Sequence, residues 1–415
     1  MFTQPRFTAG TRTKTVLAAA LALSAVSVVK AQTISITDIA NTTSTEFYAF
    51  LGTPTINNTG TVAFGALRDA GGQGIYTATN TGSFTTVARD TSTEFGGSGF
   101  VFGTPSISNN GLVAFSAKRD AGGQGIYTAT DSSGFTRLAS TDDVEYASFG
   151  NVRINTAGKV AFSANRDNGE QGVYAGTNSS NLVRIADTDD GRFTGFVDAS
   201  ISNTGEVAFA GFSPYGAYGV YRTGGTDYNG IIAIAQNNRP EFSQFGLPSI
   251  NASGLSTFFA YNNRGGTGIY TAITDADFTT IANSDGPYFS DFTEPALNNL
   301  GTVAFYALAK AGAGDIYGTG GIYAQLSSSS SPTAIIRTGD ALFGSTVSSL
   351  SFFQGLADDS NTLTFQYSLQ NGVSGIARAN IGSVTAAPEP GSVGLFVLGG
   401  IGVAFARRKR SSVKL

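Results

Sequence analysis

Along most of this chain, short apolar runs alternate with turns rich in glycine, asparagine and aspartate, and none of the runs keeps a helical period. The run Asn57-Asn-Thr-Gly60-Thr-Val-Ala-Phe64 shows the pattern. It is a turn followed by a strand in which Val62 and Phe64 point one way and Ala63 and Gly65 the other. Neither face is polar, so the sheet it joins has to be covered on both sides. The run returns at Phe115, Phe162, Phe209, Phe258, Phe305 and, more loosely, Phe365. Its turn glycines are Gly60, Gly111, Gly158, Gly205, Gly254 and Gly301, with Asn361 in the seventh copy, at spacings of 51, 47, 47, 49, 47 and 60 residues. Glycine and asparagine both accept a positive φ, so Asn361 is expected to keep the conformation of the turn.

Three further lines repeat with the same period. One is Gly-Ile/Val-Tyr, from Gly74-Ile75-Tyr76 to Gly321-Ile322-Tyr323, with Gly375-Ile376-Ala377 lacking the tyrosine. Another ends in an apolar pair such as Val87-Ala88 or Leu138-Ala139, and a third precedes each turn, as in Phe102-Gly-Thr-Pro105-Ser-Ile107. Each unit therefore reads as four strands, a to d, and four-stranded sheets buried on both faces are the blades of a β-propeller. Pro54, Pro105, Pro248 and Pro295 recur in strand a. That suits an innermost edge strand, where a missing N–H is tolerated. Thr43-Ser-Thr-Glu46-Phe47 repeats Thr91-Ser-Thr-Glu94-Phe95, which follows a strand d. The body thus begins with an orphan strand d near Thr33–Ala40 and stops after a strand c near Gly375–Ala379. The expectation is an all-β fold: a seven-bladed propeller of four-stranded blades, residues 32–384, closed by its N-terminal strand.

The two ends read differently. Residues 1–31 carry Arg6, Arg12 and Lys14, an apolar run from Val16 to Val29, and Ala31 at a small-residue cut, the layout of a secretory signal peptide. Residues 385–415 carry Pro388-Glu389-Pro390, an apolar stretch at 391–406 and the cluster Arg407-Arg408-Lys409-Arg410. As a helix that stretch is about 24 Å long, enough to span a membrane with snorkelling flanks, and the basic cluster keeps its end cytoplasmic. The order of motif, transmembrane helix and basic tail resembles the PEP-CTERM sorting signal of Gram-negative bacteria. That resemblance implies exosortase as a partner, transient residence in the inner membrane through 391–406, and release to the cell surface or the extracellular space. The body, in turn, resembles the tandem NxxGxxAF repeat proteins that carry choice-of-anchor tails, a class that implies location and shape but no defined activity.

Charge and composition narrow the chemistry. The formal net charge is −4, but nine of the 25 Lys/Arg lie in the two ends with a single acid, leaving the body near −12. So acidic a body argues against nucleic acid, whose affinity rests on phosphate neutralisation. The chain has no His, no Cys and no Trp, which removes nucleophilic triads, thiol chemistry and the usual zinc sites.

The twelve residues RDAGGQGIYTAT occur twice, at Arg68–Thr79 and Arg119–Thr130. In a propeller the b–c and d–a connections share a face. That face would carry Arg68, Asp69, Arg119, Asp120, Arg166, Asp167 and Arg264 beside Asp90, Glu94, Asp142, Asp143, Asp187, Asp189, Asp190 and Asp285. It is a candidate binding face for a polar polymer. The competing expectation, favoured by recurrence in several blades, is that each arginine pairs with an acid of its own or the next blade. Asp187, Asp189 and Asp190 before Gly191 resemble part of a calcium loop but lack its closing glutamate, so no cofactor is expected beyond that weak cation candidate. The whole reads as an exported surface or extracellular-matrix protein, not an enzyme. Its propeller would be a non-catalytic binding or scaffold module, suited to extracellular polysaccharide or other surface proteins. The alternative is a secreted carbohydrate-active enzyme using Asp/Glu on the propeller face, for which an exposed cluster of two or three carboxylates at the central channel mouth, unpaired by arginine, would be the mark.

Overall fold

Seven antiparallel sheets follow one another along the chain, and the seventh is completed by the first strand. The computed structural model describes residues 33–214, 216–224, 230–310, 312 and 319–382. The expected leader and the sorting segment, Pro388 to Arg410 with its helix, lie outside the described residues. Blade 1 is Phe47–Ile56, Val62–Arg68, Gln73–Asn80 and Ser83–Arg89, and blade 2 is Ser106–Ile107, Val113–Lys118, Gln124–Ala129 and Thr136–Ser140. Blades 3 and 4 repeat this plan from Tyr146–Ile154 to Val183–Asp187 and from Gly195–Ile201 to Ile231–Gln236. In blades 5 and 6 strand a is broken at Pro248 and Pro295, into Phe242–Phe245 with Ser249–Ile250 and Phe289–Phe292 with Ala296–Leu297. In blade 1 the register slips between Leu51 and Thr55, around Pro54. The prolines thus sit where strand a needs no ladder hydrogen bond.

Blade 7 is Ser345–Ser351, Thr362–Leu369 and Ser374–Ile381, with Ile34–Asn41 as its strand d and a short extra strand at Ala341–Leu342. The closing register runs from Ile34↔Ile381 to Asn41↔Gly375, which bears out the expected pairing, with the N-terminal strand shifted by one residue and its partner extended by two. Residues 33–382 therefore hold a complete ring.

The core is seven separate packings, one between each pair of neighbouring blades. Each blade turns its Phe/Tyr face onto the small and β-branched face of the blade before it. Phe115 and Tyr127 of blade 2 lie with Ala63, Ile75, Val87 and Ala88 of blade 1. Ala114, Ile126 and Leu138 of blade 2 lie in turn against Phe162 and Tyr174 of blade 3. The ring closes where Ile39, Ala40 and Ile376 of blade 7 meet Phe47, Phe64 and Tyr76 of blade 1. This is why neither face of strand b could be polar.

The Gly-Ile-Tyr line has a steric reason. The tyrosine ring folds back over the glycine two residues earlier, and a Cβ on Gly125 would stand 2.7 Å from a Tyr127 ring carbon. Blade 7, which has Ala377 where the others have tyrosine, fills the same space from the neighbouring strand. Tyr367 pairs with Gly375 and lays its phenol over it, donating to Asp38 Oδ1 at 3.0 Å.

The turn glycines take φ of 77–90° as expected. Asn361 does not. The seventh turn is one residue longer, with Ala357 N bonded to Thr362 O where Asn57 N bonds to Thr61 O, so no left-handed residue is needed there. Asn361 instead uses its side-chain oxygen to accept from Thr302 Oγ1 at 2.7 Å and from Asn298 Nδ2 at 3.3 Å. The first turn residue laces blade to blade: Asn57 Nδ2 donates to Ser108 O, Asn155 Nδ2 to Ser202 O and Asn251 Nδ2 to Asn298 O.

Candidate functional site

The repeated RDAGGQG string builds a turn that needs glycine. Gly71 and Gly72 have φ of 86° and 84°, and Gly122 and Gly123 have 94° and 77°, conformations that side chains with a Cβ rarely adopt. The turn lies against the d–a connection, as Asp69 N donates to Glu46 O, Asp120 N to Glu94 O and Asp167 N to Glu145 O. The arginines fold beneath these turns. Arg68 meets Glu46 at 2.6 Å. Arg119 pairs with Asp142 and approaches Glu94 at 3.8 Å. Arg166 meets Asp189 at 2.5 Å and Glu145 at 4.0 Å. Their side chains are only 12–17% exposed, so they are used up inside their own blades. Hydrogen bonds from Arg68 to Glu46 and from Arg166 to Asp189 push both guanidinium pKa values up. The blade tyrosines join the same clusters: Tyr127 donates to Glu94 at 2.8 Å and Tyr174 to Glu145 at 3.0 Å. Burial, with the adjacent glutamate, pushes both phenols up.

The aspartates that follow these arginines, Asp69, Asp120 and Asp167, are exposed at the turn tips. Asp90 and Asp143 accept backbone N–H groups, from Gln73 and Ser140. Arg264 does not join the arginines. It stands two residues later in its turn than Arg68 does, is exposed, and has no ion pair among the described residues. Asp187, Asp189 and Asp190 are each engaged by arginine: Arg184 pairs with both Asp187 and Asp189, Arg166 with Asp189, and Arg192 with Asp190. Among the described residues no group of three acids is arranged to hold a metal ion.

Arg119→Ala is therefore expected to lower stability by about 1 kcal/mol, since it leaves Asp142 without its ion pair and Glu94 with Tyr127 alone, and to leave polymer binding unchanged. The double variant with Arg68→Ala should lose roughly the sum, because the sites lie in different blades. Thermal melts and pull-downs on the same variants check both; unchanged melting with lost binding would restore the binding reading.

The axis carries a site that the repeat pattern did not single out. Strand a lines a central cavity of about 70 Å³ with Thr55, Ser106, Arg153, Ser200, Ser249 and Ala296 at equivalent positions. Arg153 is the one charge in that row. Its Nε donates to Gln354 Oε1 of blade 7 at 2.7 Å, and its guanidinium lies 5.2 Å from the Phe353 ring centroid. Burial pushes its pKa down to about 10, against the pull of Asp198. Gln354 has φ of 51°, a strained value for a residue with a Cβ, and its Nε2 reaches Pro248 O of blade 5 at 3.2 Å. Arg153 and Gln354 thus cross the channel and tie three blades together. Lining the repeats up by strand a would have exposed Arg153 as the odd member.

Asp358 lines the same cavity from blade 7. Burial, reinforced by Asp359, pushes its pKa up to about 6 against a hydrogen bond from Asn203. Asp359 is held by Asn58 at 2.5 Å and Asn299 at 2.7 Å. A carboxyl with a raised folded-state pKa contributes stability at low pH and loses it as pH rises through the folded value. From pH 4 to pH 7 the wild type should therefore lose about 2–3 kcal/mol relative to Asp358→Asn. Urea denaturation of both proteins across that range checks it; parallel curves would remove Asp358 from the buried set.

Comparison with known proteins agrees with this architecture. The model of a family described as a family of unknown function (DUF7453) matches residues 8–272 and again 185–393, and the PEP-CTERM protein-sorting motif matches residues 386–410. No curated protein matches the chain. Among solved structures it is similar to prolyl oligopeptidase B from Galerina marginata, at 12% identity and TM-score 0.54 over 83% of this chain and 50% of that one. It is also similar to a puromycin-hydrolysing peptidase of Mycobacterium tuberculosis, at 12% identity and TM-score 0.51 over 82% of this chain and 53% of that one. The chain spans about half the length of these peptidases, and the likeness is one of fold.

Proposed function

We propose that this chain, which belongs to the DUF7453 family of unknown function, is a non-catalytic binding or scaffold module of the bacterial surface. Its PEP-CTERM motif is the element exosortase recognises and marks the protein for export through the membrane to the cell surface. The finer reading is a tandem NxxGxxAF repeat protein of the choice-of-anchor type in a Gram-negative host. It would be held briefly in the inner membrane by 391–406 and then released to the surface or matrix, where polysaccharide or other surface proteins are its partners. The observation that carries the module reading is the fate of the recurrent charges: the arginines of the repeated string are spent on acids of their own blade. The recurring motif thus supports the ring, leaving ligand contact to positions where blades differ.

One observation favours the alternative, a carbohydrate-active enzyme. Asp358, with its raised pKa, sits beside Asp359 at the channel and neither pairs with arginine among the described residues. Incubating residues 33–382 with extracellular polysaccharide of the host separates the two. The module reading expects retention of polymer with its length unchanged. Release of oligosaccharides, abolished by Asp358→Asn, would overturn it in favour of the enzyme.

Sorting is tested apart from binding. Replacing Pro388-Glu389-Pro390 by alanines is expected to trap the protein in the membrane fraction of an exosortase-bearing host. Unchanged release to the surface fraction would refute the role of the motif.

A further inference from the structure

Blade 5 carries the acids of the arginine cluster without the arginine. Counting four residues on from Phe64, Phe115, Phe162 and Phe258 gives Arg68, Arg119, Arg166 and Asn262. The glutamate before strand a is kept throughout, as Glu46, Glu94, Glu145 and Glu241, and the aspartate after strand d recurs as Asp142, Asp189 and Asp285. The backbone is also kept: Asn263 N donates to Glu241 O at 3.3 Å and Asn262 N to Gly266 O at 2.8 Å, as in the other blades. In blades 2 and 3 the guanidinium lies between the two acids. In blade 5 a cavity of about 360 Å³ occupies that place, lined by Glu241, Asn262, Tyr270, Phe278 and Asp285. Asn262 Nδ2 reaches one Asp285 oxygen at 3.1 Å. The Glu241 carboxylate has no hydrogen-bond or ion-pair partner among the described residues.

The geometry points to this slot as a receptor for a guanidinium group brought by a partner, an arginine side chain of a basic protein or peptide. Three sister blades show what the frame holds when the arginine is supplied from within. Carboxylates on two sides suit a planar cation with several N–H donors, and the partly exposed ring of Phe278 beside them suits its flat surface. Nearby cations do not fill it: Arg239 is engaged with Asp275 at 2.9 Å, and Arg264, at the rim, pairs with no acid among the described residues. The inference deepens the reading of the ring as a binding module by naming the chemistry of one ligand.

The test titrates residues 33–382 with N-acetyl-arginine amide, its uncharged citrulline analogue and N-acetyl-lysine amide, by NMR. Arginine amide should saturate the site, and the citrulline analogue should bind at least about tenfold more weakly. Glu241→Gln and Asp285→Asn should each weaken binding. Asn262→Arg should abolish it and raise the melting temperature, because it rebuilds the cluster of blades 2 and 3. That gain in stability shows the variant folded. Equal binding of arginine and citrulline, or binding untouched by Asn262→Arg, would overturn the assignment. So would binding seen only after Arg264→Ala, which would mean the chain serves the slot itself. Failure here leaves surface location and polymer retention standing, since neither depends on blade 5.

Discussion

Phe115→Ala is expected to cost about 3–5 kcal/mol in chemical denaturation, a large share of what holds a domain together. Phe115 is fully buried. Its ring stacks on Tyr127 at 5.8 Å and 20°, meets Phe95 at 5.7 Å and Phe102 at 6.0 Å, and faces Ile75 and Val87 of the preceding blade. The cost should sit at the high end of the range because the site cannot collapse. Two sheets wall it, and each is held at its far side by the next interface around the ring. Phe162→Ala should behave alike, since Phe162 stacks on Tyr174 at 5.6 Å against Ala114, Ile126 and Leu138. Phe100, 68% exposed, is the control, and Phe100→Ala should fall within about 0.5 kcal/mol of wild type. A loss below about 1 kcal/mol at Phe115 would mean that the ring does not rest on its inter-blade packing.

The features legible in the sequence are those written within one repeat. Turn glycines, the Phe and Tyr of strands b and c, and the proline of strand a depend on local backbone and on a neighbour that is always the same blade edge. The pairing of Arg119 with its own blade's acid was legible for the same reason, because recurrence means a shared local role. What escaped depends on residues that meet across the ring or on a change of turn length. Gln354 and Arg153 lie 201 residues apart and touch only because blades 3 and 7 face one axis. Tyr367 replaces a tyrosine of the adjacent strand, which a column-by-column comparison scores as a loss. Asn361 matches the glycine column by chemistry, yet one added residue removes the need for positive φ. Arg264 passes for a member of the arginine row until the row is counted from Phe258, where Asn262 stands instead.

Removing the closing strand should be the most damaging change to the chain. Deletion of residues 33–41 is expected to abolish cooperative unfolding, though it removes no residue of blades 1 to 6. It strips the outer edge of Ser374–Ile381 from Ile34↔Ile381 to Asn41↔Gly375. It takes Ile39 and Ala40 from the interface that holds Phe47 and Phe64, and it leaves the Tyr367 hydroxyl without Asp38. What remains at the seam between the last blade and the first is Arg378, whose Nη1 donates to Gly60 O of blade 1 at 2.7 Å, the Asn58–Asp359 hydrogen bonds, and Ala357 and Ile376 against Phe47 and Phe64. An open ring also presents a bare strand edge, a template for pairing with a second chain, so the deleted protein should associate. A peptide of residues 33–41 added in trans should restore the melt. The converse is Ser35→Cys with Asn380→Cys, an exposed facing pair in a chain with no other cysteine. If the two thiols bond, they close a loop of nearly the whole ring, for which chain entropy allows up to about 5 kcal/mol. Raised melting that reduction reverses would show that the ring opens first at this seam. A deletion variant that still melts cooperatively as a monomer would mean that six blades and three strands hold without closure.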